Sequence, residues 1–158
     1  MKLVKGNLWD SKDGIILVTC NSYIKKDGAL VMGRGAALEM KTKFPKIDYR
    51  FGKMINYYSK HLGYYGVFIL DPNAGPAEYV PSEQKLGIFQ VKYHFKDKAD
   101  LLLIKMSTRE LVRDFYKYSF LHTVSMNFPG IGYGGLSRED VLPIIEGLSD
   151  QVTIYEKE

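Results

Sequence analysis

Gly14-Ile15-Ile16-Leu17-Val18-Thr19 is a continuous apolar run of strand length, and its reading decides the fold. A strand with one wet face alternates apolar and polar residues. An unbroken run of Ile, Leu and Val instead suits a strand buried on both faces, which calls for a sheet with helices on each side. Outward from this run, apolar clusters recur with the spacing of alternating strands and helices, each closed by Gly, Pro, Asn or Asp. Lys2 to Lys5 is a short opening strand. After the central run come polar residues and the Gly-rich stretch Gly28 to Gly35. The Ala, Leu, Glu, Met and Lys content of Ala36 to Phe44 then favours a helix, which Pro45 ends.

Asp48 to Asp71 reads as a polar and aromatic helical stretch followed by a strand at Tyr65 to Leu70, and the proline-rich Pro72 to Pro81 reads as loop. Leu86 to Tyr93 and Leu101 to Met106 are expected to be two more strands, the second apolar throughout and therefore central. Ser107 or Thr108 caps an expected helix through about Tyr118, because Leu111, Val112 and Phe115 fall at helical spacing. Thr123 to Phe128 returns to strand. Ser137-Arg138-Glu139-Asp140 offers an N-cap with an acid three residues on, opening a helix to about Leu148. Val152 to Tyr155 closes as a strand. The order implies an α/β protein: a three-layer α/β/α sandwich around a mixed, largely parallel sheet, with residues 1–158 forming a single domain.

Composition agrees with a globular chain. Of 158 residues, 46% are hydrophobic and 25% charged, which excludes both a disordered tail and a membrane-embedded protein. The 22 Lys and Arg against 18 Asp and Glu leave a net charge of +4, which permits anionic partners, nucleic acid included, without requiring any. The single cysteine, Cys20, excludes an intramolecular disulfide, and no signal peptide or membrane-spanning run is visible, so a cytoplasmic location is expected.

Two glycine-rich loops carry the chemistry. Met32-Gly33-Arg34-Gly35-Ala36-Ala37 lies between the buried strand and a helix, and Gly130-Ile131-Gly132-Tyr133-Gly134-Gly135 follows a later strand. Glycine lets backbone N–H groups approach a ligand, and a helix start adds a positive dipole end, so each loop suits a phosphate. Each also suits a plain tight turn. Two loops in matching contexts can hold a diphosphate between them at the carboxyl ends of sheet strands. Gly33-Arg34-Gly35 lacks the later glycine of a dinucleotide fingerprint, and no Gly-Lys-Ser/Thr follows either loop, which disfavours a dehydrogenase and a nucleoside triphosphatase. Cys20 reads as a small buried hydrophobe, Asp10 and Asp13 as a solvated turn, and Lys41, Lys43 and Lys46 as a wet helix face. Tyr57, Tyr58, Tyr64 and Tyr65 read as core and rim aromatics. His61, His94 and His122 are scattered, and no residues stand at metal-ligand spacing, so no metal and no cofactor is expected.

From end to end, these signals resemble the macro domain family of ADP-ribose-binding modules. Lys5-Gly6-Asn7-Leu8 is similar to the opening strand and turn, Val18-Thr19-Cys20-Asn21 to the second strand, and Val31 to Ala37 with Phe44-Pro45 to the first phosphate loop and its helix. Pro129 to Leu136 is similar to the second loop and Val152 to Tyr155 to the final strand. The first loop has the form seen in the subgroup of ADP-ribosyl-glutamate hydrolases and ADP-ribose 1''-phosphate phosphatases. The resemblance implies that Asn7 approaches an adenine on which Tyr155 packs, with Leu8 also among the ligand-binding residues. It places the diphosphate against Met32, Gly33, Arg34, Gly35 and Ala36 on one side and Gly130, Ile131, Gly132, Tyr133 and Gly134 on the other, with Asn21 facing the distal ribose as the candidate catalytic residue.

Binder and hydrolase remain open. The glutamate-deribosylating members act through a Lys at a strand end and an Asp just after the second loop. Here the strand end is expected at Lys105-Met106-Ser107-Thr108, and Gly134-Gly135-Leu136 has no Asp. The phosphatase-like members carry a His where this chain has Val18. The expected partner is therefore ADP-ribose or an ADP-ribosylated macromolecule. The alternatives are a basic module that stacks single-stranded nucleic acid on exposed tyrosines, and a scaffold whose vestigial cleft is a protein interface.

Overall fold

The computed structural model describes residues 1–59, 62–70, 84–117 and 123–157. Its centre is β2 (Ile15–Cys20), with Ile15, Leu17 and Val18 at 1% exposure or less. Alternation of side chains sends Ile15 and Leu17 into one core, and Ile16, Val18 and Cys20 into another on the opposite face. The other strands are β1 (Lys2–Lys5), β3 (Val67–Ile69), β4 (Lys85–Gln90), β5 (Val124–Asn127) and β6 (Val152–Glu156), in the spatial order β1-β6-β5-β2-β4-β3. Every pairing is parallel except that of the edge strand β3 with β4.

Four α-helices are seen among the described residues: α1 (Gly35–Lys43), α2 (Ile47–Ser59), α3 (Leu101–Lys117) and α4 (Arg138–Ile145). Ala37 and Met40 of α1, with Ile47, Phe51 and Ile55 of α2, close one face of the sheet. Ile104 and Leu111 of α3, with Val141 and Ile145 of α4, close the other. The result is the three-layer α/β arrangement with a mixed, mostly parallel sheet. α1 and α2 are separated at Pro45, and Gly52 of α2 lies so close to the Gly28 backbone that a Cβ there would stand 2.0 Å from the Gly28 carbonyl oxygen.

The expected strand at Leu101 to Met106 is a correction: this segment is the first turns of α3. Leu103, Ile104, Ser107, Thr108 and Leu111 are buried while Leu102, Lys105, Arg109 and Val112 are exposed, the three-and-four repeat of a helix. Leu102, 65% exposed, fills the gap in the stripe and makes the sequence read as an unbroken buried run. The helix opens at Asp100, whose Oδ1 accepts from Leu103 N at 3.2 Å. Ser107 and Thr108, read as caps, lie inside it; Ser107 Oγ donates to Gln90 O at 2.7 Å and Thr108 Oγ1 to Ile104 O at 2.7 Å. Ser137 does cap α4, accepting from Asp140 N, but the helix ends at Ile145, short of Leu148. The expected loop at Pro72 to Pro81 lies outside the described residues.

Candidate functional site

β2 and β5 pair from Ile15↔Val124 to Leu17↔Met126 and then part. From β2 the chain continues to α1 on one face, and from β5 to α4 on the other, so a crevice opens between the two carboxyl ends. Asn127 spans it: Oδ1 accepts from Thr19 N at 3.0 Å and Nδ2 donates to Thr19 Oγ1 at 2.8 Å. Above this floor lies a pocket of about 580 Å³.

The first wall runs from the end of β2 to the start of α1. Asn21, 5% exposed, holds it in shape: Nδ2 donates to Val31 O at 3.0 Å and Oδ1 accepts from Tyr23 N at 2.8 Å. Tyr65 Oη donates to Asn21 O at 2.9 Å from beneath. Cys20 also lines the pocket, yet burial pushes its thiol up to about 12, so it supplies no nucleophile near neutral pH. α1 starts at Gly35 with no side-chain cap from Arg34. Its first-turn N–H groups, at Gly35, Ala36 and Ala37, therefore stand at the pocket wall with the positive end of the helix dipole behind them.

The second loop faces it. Gly130 adopts φ +81 and is so enclosed that a Cβ would approach Ile104 Cδ1 to 2.7 Å, a turn open only to glycine. Gly132 to Gly134 form a short 3₁₀ turn that ends at Gly135 in the left-handed region. Tyr133, 68% exposed, meets the Arg34 guanidinium at 5.2 Å from its ring centroid, so the two loops touch across the opening.

A third wall was not foreseen from the sequence. It follows β4 and comprises Val91, Lys92, Phe95, Lys96 and Asp97. Lys92 Nζ donates to Asp97 O at 3.2 Å and to Phe95 O at 3.4 Å, which fixes an amine at the pocket edge. Lys92 lies just past the end of β4, and Lys105, expected at a strand end, is exposed on helix α3. The available signal is the run Leu86 to Val91, which ends directly at Lys92.

Of the residues expected at the ligand, Asn21, Gly33, Arg34, Gly35, Ala36, Gly130, Ile131, Tyr133 and Gly134 come together in this pocket. Gly132 is in the same loop but turned to solvent. Met32 is 1% exposed and packs in the core behind the first loop, as does Leu8 beside β2. Asn7 is exposed and caps the turn Leu8–Asp10 by accepting from Trp9 N at 3.0 Å. Tyr155 is half-buried and pairs with Asn127, one strand over from the pocket. Among the described residues, no group of His, Cys, Asp and Glu is arranged to hold a metal, and no helix is long and apolar enough to cross a membrane.

The arrangement has close parallels among solved structures. The macrodomain of Mycobacterium tuberculosis DarG superposes with a TM-score of 0.74 at 24% identity, over 99% of this chain and 97% of that one. The macrodomain of Thermus aquaticus DarG gives 0.69 at 21% identity, over 99% and 97%. The chain has the macrodomain fold. Thermosipho africanus DarTG in complex with ADP-ribose matches at 0.74 and 22% identity, over 99% of this chain and 42% of that one. No family model and no curated protein matches the sequence. In this macrodomain fold the pocket occupies the crevice at the parallel strand ends.

Proposed function

We propose that this chain is a macro domain protein that binds ADP-ribose or an ADP-ribosyl group in the pocket between its two glycine-rich loops. The observation that carries this is the convergence of the uncapped α1 start with the loop Gly130 to Gly134, bridged by Arg34 and Tyr133. A diphosphate there would accept from first-turn N–H groups without a metal ion. The solved neighbour with ADP-ribose bound supports the same ligand class. Asn7 and Tyr155 extend the site toward the adenine end while Leu8 stays in the core, and Asn21 acts mainly by holding the first loop, since both ends of its amide are engaged. Calorimetry with ADP-ribose tests the proposal. Saturable binding that drops by an order of magnitude or more when Gly130 becomes Val is expected, and no heat at millimolar ADP-ribose would sink it.

Removal of the ADP-ribosyl group from a macromolecule is a second reading, favoured by Lys92. Its amine stands at the pocket edge two residues past β4, and the family resemblance implies a lysine near a strand end in the deribosylating members. The chain lacks their Asp after the second loop, so proton transfer would fall to water or to Asp97, the carboxylate among the pocket's lining residues. The phosphatase reading lacks a comparable residue, because Val18 is buried in the core. Release of free ADP-ribose from an ADP-ribosylated substrate by the native chain, and its loss in Lys92→Met, separates an eraser from a binder.

A further inference from the structure

His94 is a scattered histidine by sequence, and it is absent from the pocket lining, yet it stands at the centre of the turn that holds Lys92. Its ring stacks on Phe95 at 4.4 Å between centroids and meets the edge of Tyr23 at 4.6 Å. Tyr23 also meets Phe95 edge-on at 5.2 Å, so three rings lock one another. Nδ1 of His94 accepts from Lys96 N at 3.0 Å. Its main chain closes the turn at both ends, donating to Asp97 Oδ2 at 3.3 Å and accepting from Asp97 N at 3.0 Å. The carbonyls this turn presents, Phe95 O and Asp97 O, are the two acceptors of Lys92 Nζ.

We propose that His94 is a positioning residue for Lys92: its Nδ1 lone pair and stacked ring fix the turn whose carbonyls aim the Lys92 amine into the pocket. The inference rests on the proposed ligand for its functional consequence, though its structural part stands without it. A lysine side chain has four rotatable bonds, and an amine free to sample them all would deliver little of its interaction energy to a ligand. Two carbonyls supplied by one ordered turn remove that freedom in advance. The Lys96 N–H bond to Nδ1 tethers the residue that stands between the two carbonyls.

Two variants divide the roles of ring and lone pair. His94→Phe keeps the stacking and removes the acceptor; His94→Asn places an amide oxygen where Nδ1 stands and removes most of the ring. In calorimetry with ADP-ribose, His94→Phe is expected to weaken binding about fivefold and His94→Asn to restore it to within about twofold. In a Lys92→Met background, His94→Phe should add nothing. Equal losses in the two His94 variants, or an undiminished loss without Lys92, would overturn the proposal. If the native chain binds no ADP-ribose, the ligand reading fails by itself, and hydrogen exchange at the Lys96 amide decides the rest. Faster exchange in His94→Phe and native exchange in His94→Asn support the turn's dependence on Nδ1, while equal exchange in both rejects it.

Discussion

Cys20 and Lys92 illustrate how neighbours lining one pocket acquire opposite chemistry. Cys20 ends β2, is 4% exposed, and has Val31 O as a long, weak acceptor 3.6 Å from its sulfur. Burial opposes the thiolate, and the charge of nearby Lys92 offsets only part of it, so the thiol is pushed up to about 12. A thiol held this high stays protonated near neutral pH and is a poor nucleophile. The folded protein at pH 8 should therefore leave Cys20 unmodified by a disulfide reagent over a time in which the urea-unfolded chain reacts fully. Labelling of the native protein at a comparable rate would show that the pocket floor opens. Lys92, half-buried on the next wall, keeps its amine in polar company and within reach of a ligand. Position beside a pocket does not assign a role; the partners of each group do.

At the scale of elements, α3 has the most to teach. Its first turn has no acidic side chain of its own, and its start depends on Asp100, whose carboxylate accepts from Leu103 N. Asp100→Ala should cost about 1 kcal/mol in chemical denaturation, whereas Asp100→Asn or Asp100→Ser, which keep a capping oxygen, should cost much less. Equal stability of the Ala variant would mean that backbone bonding alone sets the helix start. Reading α3 as a strand came from Leu101 to Ile104, four apolar residues in a row: only tertiary packing decides that Leu102 faces solvent, and no local pattern reports it. β2 was legible because a run buried on both faces has no polar residue to explain away. The two glycine-rich loops were legible because glycine leaves a mark wherever backbone must turn left-handed or approach closely, as at Gly130. The third wall, Lys92 to Asp97, was not, since its lysine is held by main-chain carbonyls and those leave no mark on residue type. The same cause hid His94, whose importance comes from a bond to a backbone N–H.

For the whole molecule, the position of the pocket makes ligand binding and stability one measurement. The crevice draws on the ends of β2 and β4, on Asn127 of β5, and on loops that lead into α1 and α4, so both faces of the sheet contribute. A ligand that bridges these parts binds the native state and has nothing comparable to bind in the unfolded chain. At a concentration a hundredfold above its Kd it adds about 2.7 kcal/mol to stability. In a domain of this size each kcal/mol moves the midpoint by about 2–4 °C, so ADP-ribose should raise Tm by about 5–10 °C. The pattern across ligands discriminates among the functions the sequence allowed. If the paired loops hold a diphosphate, ADP-ribose stabilises more than AMP, and added salt erodes the shift only modestly, because backbone N–H groups supply much of the recognition. If the net charge of +4 served nucleic acid instead, single-stranded oligonucleotides would stabilise the chain and 0.2 M salt would abolish the effect. Stabilisation by oligonucleotide with none by ADP-ribose would reassign the surface around Tyr133 and Phe95 as the principal binding site.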